Sequence, residues 1–404
     1  MSPDPLDGRS DPSARNEPAR REPLAQPGEF PPLKIGPLTI DVPVVLAPMA
    51  GVTNAPFRTL CRRFSGQQCL YTSEMITARA FVEGHARTLK IASFGPDERD
   101  RMSIQLYGTQ PESLATATRI LVEEWGVHHI DMNFGCPVRK VTSNGGGAAV
   151  PVRPRLMARL IRAVVSNSGE VPVTVKFRKG IDDTLLTFRD AGRTAEGEGA
   201  SAMALHARTA AQLYSGQADW DAIAELKQQV QTIPVLGNGD VFECWDALRM
   251  LRQTQCDGIV IGRGCLGRPW LFGELCDVLT GNEPAPPPNL GTVVDTLIEH
   301  GRLLVEFFGE KIGIQQLRKF TGWYLKSFPG IRKLLPALHL IHTLDELIDL
   351  LGQLPRDAEY PPAALRARRC KDGRPQAKVA LPPGFLDQSD DDVTIEDPLE
   401  MDGG

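Results

Sequence analysis

The chain has 404 residues, 42% hydrophobic and 24% charged, a balance that excludes fibrous and wholly disordered proteins and leaves room for a barrel-sized core plus an accessory piece. No apolar run of about 18 residues appears, so a membrane span is not expected, and the N-terminus lacks the apolar stretch of a secretory signal. The net charge of −5 hides an asymmetry: Asp387 to Asp402 holds eight acids and no base, and without them the chain is +3.

In chain order, residues 1–30 are Pro-rich and read as a disordered tail. Short β-branched-rich runs then recur: VVLAPMA at 44–50, CLYTSEM at 69–75, MSIQLYG at 102–108, HHIDMNFG at 128–135, VPVTVKFRKG at 171–180, SAMALHAR at 201–208, IPVLGNGD at 233–240 and DGIVIGRG at 257–264. Helical patterns separate them, most clearly PESLATATRILVEEWG (111–126), with Pro111 near its start and Gly126 at its end. Strands alternating with helices imply a parallel sheet. Eight such units predict an α/β protein with a (β/α)8 TIM barrel over 31–281 rather than an open dinucleotide-binding sheet, since LAPMAGVTNAP is not G-x-G-x-x-G. Met49, Glu74, Gln105, Asn133, Lys176, His206, Asn238 and Arg263 all fall at C-terminal strand ends, the face on which barrel enzymes build their sites.

Beyond the linker NEPAPPPNLG (282–291), residues 292–352 predict a small all-helical domain. From Lys311 to Lys333 lie six bases (311, 318, 319, 326, 332, 333) and no acid, interleaved with Phe320, Trp323, Tyr324 and Phe328. One sign of charge with aromatics points to a phosphate-rich partner; the aromatics at helical spacing equally fit a helix core. Residues 356–404 read as a second disordered, acidic tail.

The turns GNGD and IGRG expose backbone N–H groups where barrels bind phosphate, after strands seven and eight. Lys176 points into the barrel mouth, where an ammonium needs an anionic partner, a reduced flavin ring being one candidate. The Gln105 amide can donate and accept at a ring edge, or bond a core neighbour. The eight cysteines are scattered with no C-x-x-C pair, and they are expected to be free thiols; no metal-ligand cluster is legible. Cys136, between Gly135 and Pro137, is a reactive group at the mouth or a structural thiol. An unperturbed thiol is mostly protonated at neutral pH and can act as a general acid.

LAPMAGVTNAPFR, SEM, IQLYG, DMNFGCPVRKV, VKFRKG, LHARTA, GNGD and IGRGCLGRPW resemble, in this order, the bacterial tRNA-dihydrouridine synthases; N-x-G-C-P followed by K-V is the specific element. The resemblance runs from about residue 34 to 350 and implies FMN at Pro48, Met49, Ala50, Gln105, Lys176, Asn238, Gly239, Asp240, Gly262 and Arg263, with His206 joining them. It implies Cys136 as the catalytic cysteine and Asn133 and Arg208 near the target uracil. Lys311, Arg318, Lys319 and Lys326 are then expected to contact tRNA. The implied reaction transfers hydride from reduced flavin to C6 of uridine, with Cys136 protonating C5 and NADPH as reductant. A monomer in the cytoplasm is expected. Two departures stand out: the glycine-rich KVTSNGGGAAV after the cysteine, and Phe320 where a histidine is usual. Two alternatives are a free-pyrimidine flavoenzyme of the dihydroorotate dehydrogenase type and a non-catalytic RNA-binding barrel.

Overall fold

Hydrophobic alternation decides both layers of the molecule. The computed structural model describes residues 20–367, 369 and 375–387. Strands β1 (Leu33–Ile35) and β2 (Leu38–Ile40) form an antiparallel hairpin. Then β3 (Val44–Leu46), β4 (Leu70–Thr77), β5 (Ser103–Tyr107), β6 (His129–Phe134) and β7 (Val173–Arg178) follow, with β8 (Gly180–Asp182) and β9 (Leu185–Leu186) as a small side hairpin, and finally β10 (Ala202–His206), β11 (Val235–Asn238) and β12 (Gly258–Ile261). The eight expected strands close a parallel barrel in the order β10-β11-β12-β3-β4-β5-β6-β7.

Successive side chains point to opposite faces of a strand. On β6, Ile130, Met132 and Phe134 therefore pack outward in the large core shared with the helices, while His129, Asp131 and Asn133 face inward. The interior is split. Val45, Leu70, Ala202, Ala204, Leu236 and Val260 form an apolar wall, with Leu33, Ile35 and Ile40 of the β1–β2 hairpin in the same cluster. Strands β5 to β7 instead turn Ser103, Gln105, His129, Asp131, Thr174 and Lys176 inward.

The expected helix over 111–126 is α-helical at Pro111–Arg119, continues as a π-turn over Ile120–Glu124, and ends at Gly126 with φ 64°. The C-terminal region is helical at Leu290–Phe308, Glu310–Tyr324, Ile331–Leu338 and Leu344–Leu351. It is not a separate bead, because Leu317, Phe320 and Tyr324 join the barrel's own core cluster.

Both expected tails are shorter than composition implied. Residues 20–30 lie on the barrel, where Ala25 N donates to Val278 O at 3.1 Å and Arg252 pairs with Glu29 at 2.7 Å. Residues 358–367, 369 and 375–387 are also placed, with Tyr360, Ala364, Val379 and Phe385 buried. Pro-rich chain lacks backbone donors but still buries its few apolar side chains when a complementary surface waits. Residues 1–19 and most of the acidic stretch, 388–404, lie outside the described residues. The seven described cysteines are free; six are buried and Cys136 is half-buried. No helix among the described residues is long and apolar enough to cross a membrane.

Candidate active site

A cavity of about 580 Å³ opens at the C-terminal ends of the barrel strands. Parallel register gathers its polar lining, pairing Gln105 with Asp131, Asn133 with Lys176, and His206 with Asn238 across neighbouring strands. Pro48, Met49, Ala50, Gln105, Asn133, Cys136, Lys176, His206, Asn238, Gly239, Asp240, Gly262 and Arg263 all line it, so thirteen of the residues singled out from sequence converge.

Cys136 sits just past β6, where ladder bonds end. Asn133 substitutes for them: its Oδ1 accepts from Gly135 N at 3.0 Å and Cys136 N at 2.9 Å. Burial pushes the Cys136 thiol up from its ordinary pKa, against a smaller pull from a backbone hydrogen bond near Val138 and from the Arg178 guanidinium. The thiol is therefore held protonated at neutral pH, which suits a proton donor and disfavours a thiolate nucleophile.

From Asn133 a chain of hydrogen bonds descends the barrel. Asn133 Nδ2 donates to Gln105 Oε1 at 3.0 Å, Gln105 Nε2 to Asp131 Oδ2 at 2.6 Å, and Thr174 Oγ1 to Asp131 Oδ1 at 2.6 Å. His129 lies 2.9 Å from Thr174 and 2.7 Å from Ser103. A carboxylate only accepts, so Asp131 fixes which end of the Gln105 amide faces it. Burial raises Asp131 to about 6, and burial followed by Arg178 lowers Lys176 to about 8, with Asp131 opposing that fall. Lys176 Nζ donates to Asn238 Oδ1 at 3.0 Å. His206 is held neutral, first by burial and then by Arg178, Lys176, Arg208 and Arg263.

The turns after β11 and β12 are glycine for steric reasons. At Gly264 a Cβ would lie 2.2 Å from Val241 O, and Gly239, at φ +134°, would place one 2.6 Å from Ala218 Cβ. Side-chain-free backbone is thus presented to the cavity at both turns.

The family model for dihydrouridine synthase (Dus) matches residues 45–357. The chain belongs to the dihydrouridine synthase family. A probable tRNA-dihydrouridine synthase of Mycobacterium tuberculosis is 52% identical over 368 residues, covering 89% of this chain and 94% of that one. Its counterpart in Mycobacterium leprae is 50% identical over 373 residues, covering 86% and 96%. The tRNA-dihydrouridine synthase B of Xanthomonas axonopodis pv. citri is 41% identical over 297 residues, covering 74% and 88%.

Several expected roles move when the dihydrouridine synthase site is seen assembled. Arg208 does not line the cavity; it is buried behind it, donating to both carboxylate oxygens of Asp240 at 2.7 Å and to Ser215 O and Gly216 O. It braces Asp240, which adopts a left-handed φ of 54°, an uncommon conformation for a non-glycine residue. Arg318 also points elsewhere, donating to Ile341 O at 2.7 Å. Lys319 faces inward, lining the cavity and donating to Gly51 O. Lys311 and Lys326 are exposed, as phosphate contacts require. Phe320 is a core residue, 6.0 Å from the Phe57 ring and 4.4 Å from His300. Tyr324 and Phe328 are buried too, and of the four aromatics Trp323 alone lines the cavity.

Sequence reasoning passed over Asp131, Tyr214 and Val138, and gave Arg178 no role. Asp131 carried a usable signal, being two residues before Asn133 and so on the same inward face. Arg178 donates to Gly135 O at 2.9 Å beside the cysteine, and Arg263 lies 4.5 Å over the Tyr214 ring.

Proposed function

We propose that this chain reduces uridine in tRNA to dihydrouridine, with FMN and NADPH. The observation that carries the reading is the placement of Cys136, pinned by Asn133 at the mouth of a cavity whose opposite wall is cationic and glycine-lined. The residues present fit a flavin mononucleotide. Lys176, half-buried in the cavity wall, has two N–H donors beyond its bond to Asn238. The backbone of Asn238–Asp240 and Gly262–Gly264, with Arg263, forms a cradle at the usual phosphate position of barrels. Gln105 would meet the ring edge, oriented by Asp131.

When bound and reduced, the flavin supplies the hydride. The protein's own contribution is position and proton. Conjugation to the C4 carbonyl lets C6 accept hydride, leaving an enolate that needs a proton at C5. Cys136 supplies it, its raised pKa keeping the proton in place until the enolate forms. A flipped uracil enters past Val138, which is 53% exposed. The exposed bases Lys311, Lys326, Arg332 and Lys333 grip tRNA phosphates.

The test compares wild type with Cys136→Ala: flavin spectrum, then dihydrouridine formation on unmodified tRNA with NADPH and, in parallel, NADH. Both proteins should be yellow, and the variant should lose about 10²- to 10⁴-fold in rate. Full activity in Cys136→Ala refutes the proton-donor assignment, and a colourless wild type refutes the flavin.

A further inference from the structure

Residues 375–387 lie beyond the stretch matched by the family model, yet they are seated against the layer that carries the cysteine. Gln376 N donates to Ala211 O at 2.8 Å, and its Nε2 donates to Pro137 O at 3.3 Å, one residue from Cys136. Val379 and Phe385 complete an apolar cluster with Ala148, Ala149, Val152, Ile181 and Ala210. The Arg153 guanidinium lies 4.0 Å from the Phe385 ring centroid and donates to Phe385 O at 3.2 and 3.3 Å.

The turn beneath this strap, Gly147–Val152, touches Cys136 directly. Ala148 N donates to Cys136 O at 3.0 Å. A Cβ at Gly147 would lie 2.6 Å from that oxygen, and one at Gly146 would lie 2.2 Å from Tyr107 Oη. The glycines therefore permit close stacking rather than looseness. Val150 packs inward into the barrel core, while Ala148, Ala149 and Val152 present a second apolar face that Val379 and Phe385 cover from outside.

We propose that the 375–387 strap is a positioning element for Cys136. Phe385 clamps the turn through Arg153 and the apolar cluster, and Gln376 ties the strap to Pro137, so the thiol's place in the cavity is fixed from both sides: Asn133 within, the strap without. Neither Gln376 nor Phe385 lines the cavity. This inference rests on Cys136 as proton donor.

Full-length Phe385→Ala, Gln376→Ala and Phe385→Tyr test it by three readouts: kcat and KM on tRNA, FMN affinity by flavin fluorescence, and the pH-dependent alkylation rate of Cys136 by iodoacetamide, located by peptide mass. For Phe385→Ala, kcat should fall by on the order of ten- to a hundredfold, the loss a small misplacement produces. KM and FMN affinity should hold, Cys136 alkylation should speed up several-fold, and Phe385→Tyr should recover wild-type values. Unchanged kcat and unchanged alkylation overturn the proposal, as does parallel loss of kcat, FMN affinity and thermal midpoint in both Phe385 variants. The activity of Cys136→Ala separates the two readings: if it is retained, the proton-donor role fails, whereas an inert Cys136→Ala with normal Phe385→Ala removes only the strap.

Discussion

Asp131→Asn keeps the shape of a buried carboxylate and deletes its charge. The substitution is sterically quiet because the chain of groups below it can reverse direction. The new Nδ2 donates to Thr174, Thr174 donates to His129 Nε2, and His129 Nδ1–H donates to Ser103, so every contact at 2.6 to 2.9 Å keeps a partner. What changes is Lys176. Its ammonium, already lowered to about 8, loses the negative neighbour that opposed the fall. Each further unit corresponds to about 1.4 kcal/mol of proton affinity, and a one-unit drop takes the side chain from mostly charged to mostly neutral at a pH of about 7.5. Flavin fluorescence titrations from pH of about 6 to 9 on wild type, Asp131→Asn and Lys176→Met read the effect. Wild-type affinity should weaken as pH rises through about 8, the variant's midpoint should move down by about a unit, and Lys176→Met should show no such midpoint. Asp131→Ala is the contrasting control. It strands Gln105 Nε2 without its acceptor, a loss of about 1–3 kcal/mol that should lower the thermal midpoint. An unmoved midpoint in Asp131→Asn refutes the coupling of Asp131 to Lys176.

Two further expectations follow from burial. His300, packed among Phe57, Phe320 and Tyr324, is held neutral by burial with its pKa lowered to about 3, so below about 6.5 the unfolded chain binds more protons and stability falls with pH. His300→Phe removes that slope, which urea unfolding should show as a relative gain of about 2 kcal/mol between pH of about 7 and 5; parallel wild-type and variant curves refute it. For tRNA binding, Lys326→Ala should reduce the slope of log affinity against log salt by about one. Lys319→Met should leave that slope unchanged, because its ammonium is bonded to Gly51 O, and a reduced slope in Lys319→Met alone would reverse the two assignments.

Much of the barrel was legible because its signal is local. Each strand announced itself by β-branched runs between turn residues, and closed parallel register then carries strand-end residues such as Gln105, Lys176 and Asn238 to one face. The family followed from short motifs in fixed order. The residues whose contacts the sequence did not foretell share a different cause. Arg208, Arg318 and Lys319 are cations whose destinations are partners distant in sequence or backbone oxygens, and neither leaves a trace in the local pattern. Phe320 was placed as a missing RNA contact, although its helical spacing with Tyr324 fitted the core equally well.

The sequence by itself determined the eight barrel strands, the shared face of their C-terminal ends and where the Cys136 thiol stands, since periodicity and turn chemistry act over a few residues. Only the tertiary structure decided that Asp131 governs Gln105 and Lys176, that Arg208 braces Asp240, and that a Pro-rich segment over two hundred residues downstream seats against the Cys136 loop. Those are long-range packings. They depend on surfaces that come into being when the barrel closes, and no local propensity encodes them.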